Sequence, residues 1–105
     1  MGYYADCYVL TNNRTKNFVD GFLENFIPKR KEQVEVYEVP QHRGKMEIEF
    51  DSADNLIQYL ESNLKIEHII YWDNLDDKEP RFASCFFTDD NNLILGLSCT
   101  ADNKT

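Results

Sequence analysis

The chain is poor in the residue types that most often mark a chemical function. Its 105 residues include three cysteines, four glycines, three prolines, two histidines and one tryptophan. Cys7, Cys85 and Cys99 form no C-x-x-C pair, and neither histidine is close to one in sequence. That excludes the usual zinc and thiol-redox spacings. Each cysteine sits in an apolar, strand-like run, where a free thiol serves as a small hydrophobe, and the odd number fits a reducing compartment. Gly2, Gly21, Gly44 and Gly96 are too scattered for a phosphate-binding loop. Neither Ser84 nor Ser98 stands on a G-x-S-x-G elbow. No apolar run approaches the ~18 residues of a membrane span. Met1 to Asp6 has no basic n-region, no apolar h-region and no myristoylation pattern, so the expectation is a cytoplasmic protein without a signal peptide or membrane contact.

Positive charge is also scarce. Lys plus Arg is 11 against 19 Asp plus Glu, a formal net charge of −8. Residues 1–31 carry five bases and three acids, whereas residues 32–105 carry six bases and sixteen acids. Phosphate binding depends on clustered Lys and Arg, so nucleic acid is excluded as the expected partner. The one basic run, Lys29-Arg30-Lys31, reads as a solvated helix exit. A strongly negative field favours a basic protein partner.

Hydrophobic residues make up 42% of the chain and aromatics 13%, enough for a core and too many for a disordered segment. The length allows one domain, residues 1–105, with 101–105 frayed. Tyr3 to Leu10 alternates with period two and predicts a strand, with Ala5, Cys7 and Val9 on one face and Tyr4, Asp6 and Tyr8 on the other. Asn12 or Asn13 then caps a helix whose stripe is Phe18, Val19, Phe22, Leu23, Phe26 and Ile27, ending at Pro28. Gly21 inside it costs about 1 kcal/mol relative to alanine, which suggests a close packing contact.

Gln33 to Val39 and Lys45 to Asp51 predict a hairpin around the loop 40–44. Ser52 or Asp51 caps a second helix with the stripe Leu56, Ile57, Leu60 and Leu64, and Asn63 terminates it. Ile66 to Trp72 predicts a strand and Asp73 to Pro80 a polar loop. Arg81 to Thr88 and Leu93 to Thr100 predict two more strands joined by the turn Asp89-Asp90-Asn91-Asn92. The order β-α-β-β-α-β-β-β implies an α+β, two-layer sandwich. Its expected form is a ferredoxin-like β-α-β-β-α-β core with both helices on one sheet face and a C-terminal hairpin extending the sheet.

Pairing Val34 with Phe50 and Val36 with Ile48 sets Glu35 opposite Glu49 and Tyr37 opposite Glu47, and a slip of one residue sets Glu38 opposite Glu47 instead. Like charges across strands are destabilising, so such a face asks for a partner. In a ferredoxin-like order the first strand lies beside the third, and Tyr4, Asp6, Tyr8, Glu35, Tyr37, Glu47 and Glu49 then form one acidic, aromatic patch. Aromatic anchors in a charged surround suit a protein interface. RNA stacking would need Lys and Arg where this face has Glu and Asp.

The Asp73 to Glu79 stretch lacks the alternating ligands and central glycine of a calcium loop. His42 falls at a hairpin tip and His68 inside a strand, without metal-ligand spacing. No catalytic, cofactor-binding or metal residue is therefore expected. The leading expectation is a non-enzymatic interaction module for a basic partner, with an inhibitor or immunity-type role suiting its size and charge. The alternative is a dimeric ferredoxin-like domain enclosing a small-molecule or catalytic pocket lined by His68, Tyr71, Trp72 and the cysteines. Whether the chain is a monomer or a homodimer stays open at this point.

Overall fold

The computed structural model describes residues 2–40 and 48–102. The elements run β1 (Gly2–Thr11), α1 (Lys16–Phe26), β2 (Arg30–Glu32), β3 (Tyr37–Val39), β4 (Ile48–Phe50), α2 (Ala53–Ser62), β5 (His68–Asn74), β6 (Phe82–Phe87) and β7 (Leu93–Asp102). The fold is α+β, with two helices and a five-stranded sheet in the order β1-β7-β6-β5-β2. Every neighbouring pair in that sheet is antiparallel.

The helices follow their expected stripes. Thr15, rather than Asn12 or Asn13, caps α1 by accepting from the Phe18 amide, while Asn13 Oδ1 accepts from the Thr15 hydroxyl at 2.9 Å. Val19, Leu23 and Ile27 are buried, and the flanking Phe18 and Phe26 stay exposed. Ser52 caps α2, Asp54 favours its first turn through the helix dipole, and Asn63 closes it. Leu56, Ile57 and Leu60 enter the core and Leu64 does not. Gly21 has nothing within 4 Å of a Cβ built on it, so no close packing contact accounts for it.

The sheet supplies the other half of the core from alternate residues. Ile70 and Trp72 of β5, Ala83, Cys85 and Phe87 of β6, and Leu93 and Leu95 of β7 gather in one cluster with the buried residues of α1 and α2. Cys85 behaves as the expected apolar filler, and burial pushes its thiol well above the ordinary range. Cys7 is exposed and Cys99 half-buried, so those two are not core.

The strand order differs from the expected ferredoxin-like one. β1 lies at an edge beside β7, not beside the third strand. The hairpin between the helices forms its own two-stranded sheet, β3-β4, and the three residues Arg30–Glu32 join the main sheet instead. Lys29-Arg30-Lys31 is thus the entry to an edge strand rather than a helix exit. Alternation fixes which face a residue occupies but not which strand is its neighbour, and β1 and β7 meet from opposite ends of the chain.

The β3-β4 register also differs. Tyr37 faces Phe50, Glu38 faces Glu49 and Val39 faces Ile48. Like charges do oppose each other, as Glu38 and Glu49. Tyr37 and Val39 turn inward, and Val34 and Val36 sit exposed ahead of the strand. The expected loop at 40–44 and the first part of the expected strand, including Glu47, lie outside the described residues beyond Pro40.

Candidate functional site

Because the core consumes one parity of residues in β5, β6 and β7, the other parity forms a second sheet face. The register places Leu10, Ile94, Phe86 and Ile69 in one row across β1, β7, β6 and β5. Tyr8, Gly96, Ser84 and Tyr71 form the next row, and Asp6, Ser98, Phe82 and Asp73 the third. This face is open. Leu10 is 65% exposed, Tyr8 53% and Tyr71 44%.

Its rings are in contact. Tyr8 and Phe86 centroids lie 5.8 Å apart, and Phe86 and Tyr71 lie 6.2 Å apart, edge to face. These are favourable aromatic separations. Gly96 makes the arrangement possible. A Cβ there would sit 2.8 Å from Tyr8 Cε1 and would collide with Ser84 Oγ. The Tyr8 ring therefore lies against bare backbone of β7 and reaches Phe86 across it. Loss of solvation, then the charge of Asp6, raise the Tyr8 hydroxyl above its ordinary value. The hydroxyl donates to Asp6 Oδ2 at 3.5 Å.

Two concavities continue the face. A groove of about 270 Å³ lies between β5 and the segment leading into β3, lined by Val34, Val36, Ile69 and Tyr71 among others. A larger cleft of about 890 Å³ at the end of the sheet takes Ile69, Phe86 and Ile94 together with Glu67, Asp89 and Asp90. Lys65 is the one lysine or arginine in its lining. Asp6 at one margin and Glu38 in the groove add to the acidic surround.

The expected patch is only partly assembled. Asp6 and Tyr8 do share a face and touch. Tyr4 belongs to β1 opposite Thr100, its side chain lying outside the description. Glu35 is exposed in the bend before β3, and Glu49 is exposed in β4. β1 and β2 are the two edges of the main sheet, so four spacings of about 4.8 Å, roughly 19 Å, separate Asp6 from the side where Glu35 stands. Tyr37 is only 2% exposed. Its hydroxyl donates to Glu32 Oε1 at 3.0 Å, and burial followed by that carboxylate raises its pKa far above the ordinary value. Tyr37 is a core residue and cannot serve as a surface anchor.

Phe86 and Tyr71, which supply the centre of the open face, were missing from the expected patch. Their signal was their parity, opposite to Cys85 and Ile70, but it becomes legible only once β6 and β5 are known to be neighbours.

The residues of the alternative pocket do not converge. Trp72, Cys85 and His68 are buried with the helix-facing set, and Tyr71 alone points to the open side. His68 Nε2 lies 3.1 Å from the Glu38 carbonyl oxygen, which ties β5 to β3. In the polar loop after β5, the Asn74 amide donates to the Lys78 and Pro80 carbonyls at 3.3 and 2.9 Å, and its oxygen accepts from the Asp76 amide. Among the described residues no group of three His, Cys, Asp or Glu is placed to hold a metal ion. No helix among them is long and apolar enough to cross a membrane.

Comparison with protein families, with characterised proteins and with solved structures yields no match.

Proposed function

We propose that this chain is a non-enzymatic interaction module that binds a basic protein through the open face of its sheet. The observation that carries this reading is the contiguous Tyr8-Phe86-Tyr71 row with Asp6, Glu38, Glu67, Asp89 and Asp90 around it. Aromatic side chains bind with little loss of conformational freedom and commonly dominate interface energy. Acids at the rim add little net affinity but speed encounter with a cationic surface and reject anionic ones. Monomers seldom leave large apolar faces uncovered without use. An inhibitor or immunity-type role against a basic nuclease is the form of this reading that the size and charge suit.

Affinity capture with the wild-type chain and with Tyr8→Ala/Tyr71→Ala tests it. Both rings are surface groups, so circular dichroism should be unchanged. The wild type should retain basic proteins that moderate salt releases, and the double variant should lose them by about tenfold or more, as expected for two anchors. Equal capture by both would remove the face from the function.

A further inference from the structure

The two edges of the main sheet are built differently. β2 presents three residues, two of them Arg30 and Lys31. Short length and lysine are the ordinary guards against unwanted strand pairing. β1 is ten residues long and contains no Lys, Arg or Pro. Its register with β7 runs one to one from Gly2 opposite Asp102 to Thr11 opposite Leu93, so no bulge interrupts it. Asp6 is its one charge. From Ala5 to Leu10 the strand is also exposed on both faces: Val9, on the helix-side parity, is 62% exposed, and Tyr8 and Leu10 on the open side are comparable. The core therefore stops at β7 and leaves β1 standing clear, with a row of backbone groups turned outward.

We infer that the free edge of β1 receives an extended, Lys- or Arg-bearing strand of the basic partner as a sixth strand of the sheet. This rests on the basic-partner reading and specifies how that partner docks. Main-chain hydrogen bonds supply the affinity of such an addition, and alternate side chains supply its selectivity. Asp6 is acidic and β1 carries no base, so an incoming cation meets no like charge on this strand. A second copy of this chain brings a second net charge of −8 against the first, which opposes self-pairing. Along the open face β1 offers Asp6, Tyr8 and Leu10 in turn. The matching strand has a basic residue beside Asp6 and apolar residues at the next two alternate positions, where they extend the aromatic row.

The test uses synthetic peptides as long as β1: one with Lys and then two Val at alternate positions and Thr between them (the Lys-Val peptide), the same sequence with Glu in place of Lys, and the Lys-Val peptide with a central Pro-Gly break. Amide exchange of the full chain is followed by NMR, with light scattering for mass. The Lys-Val peptide should slow the outward-facing β1 amides by about tenfold or more at saturation, leaving β2 unchanged. The other two peptides should not, and Asp6→Lys should weaken the effect without unfolding the chain. Shifts at Tyr71 without protection in β1 would overturn the edge and keep the basic-partner reading. No response anywhere to the Lys-Val peptide would overturn both. Concentration-dependent protection of β1 without peptide, with doubled mass, would make a second copy the occupant and overturn the proposal.

Discussion

Arg14 is the residue whose loss should cost the fold most. It is 3% exposed, and its guanidinium reaches four backbone carbonyls in two segments. Nη1 donates to Thr88 at 2.8 Å and to Leu64 and Asn92 at 3.3 Å, and Nη2 donates to Ile66 at 3.3 Å. The cation also lies 5.1 Å from the Phe87 ring centroid. Burial lowers its pKa, with Asp90 pulling the other way, but a guanidinium stays charged at any working pH. Arg14→Met keeps most of the stem and removes every donor. The Asn92 carbonyl retains the Thr88 amide and hydroxyl as donors, so the loss falls on Leu64, Ile66 and Thr88.

Charge-assisted bonds are each worth ~1.5–3 kcal/mol net and are not additive, so a loss of ~3–5 kcal/mol is expected from a total near 5–15 kcal/mol. Urea unfolding followed through the single, buried Trp72 reads it directly. With m of about 1.5–2 kcal/mol/M the midpoint should fall by roughly 2 M. Arg14→Lys keeps a charge but not the planar fork, and should recover only part. A loss below about 1 kcal/mol with m unchanged would mean that water replaces these bonds and that Arg14 does not hold the two segments together.

Two glycines should respond oppositely to alanine. Gly21→Ala should raise stability by about 1 kcal/mol, because the added methyl meets nothing and helix propensity improves. Gly96→Ala should lower it by ~1–3 kcal/mol and displace Tyr8 from Phe86, visible as a shift of both ring signals in NMR. The Thr100 hydroxyl, and then the Thr100 amide, hydrogen-bond Glu79 and hold its carboxyl below the ordinary value. A depressed folded pKa contributes stability above the unfolded pKa that is lost as pH falls through the folded one. Thr100→Val should therefore raise the Glu79 midpoint in a carboxyl ¹³C titration, and an unchanged midpoint would assign the shift to Arg81 instead.

What the sequence discloses here is face and period. The stripes of α1 and α2, the Ser52 cap, the Asn63 stop and the β6-β7 hairpin all follow from local pattern. Asn91 in that hairpin takes a positive φ of 74°, which asparagine tolerates. The segment from Gln33 to Val39 misleads because Val34 and Val36 alternate like a core face. The pairing with β4 nevertheless starts at Tyr37, and Glu32 makes burial of that tyrosine affordable by accepting its hydroxyl. β1 reads correctly as a strand. Its alternation cannot tell that the face of Ala5, Cys7 and Val9 has no cover, since that depends on how far the helix layer extends. Arg14 has no periodic or motif signal at all. Arginine is normally a surface residue, and its role appears only when segments 64–66 and 88–92 close around it.

These buried polar groups also bear on how the open face can evolve. Arg14 fastens the loop after α2 to the β6-β7 turn. Glu32 Oε1 accepts from both Tyr37 and the Ala53 amide at the start of α2, joining β2, β3 and that helix. His68 joins β5 to β3. Each lies among the helix-side residues or at the ends of strands, and none sits in the Tyr8-Phe86-Tyr71 row. The row depends on the fold for its position, through Gly96, but the fold depends little on the row. Exposed aromatics stabilise mainly by area removed from water, and half-exposed rings remove little of it. Substitutions at Tyr8 and Tyr71 should thus change the chemistry of the open face at small cost to folding.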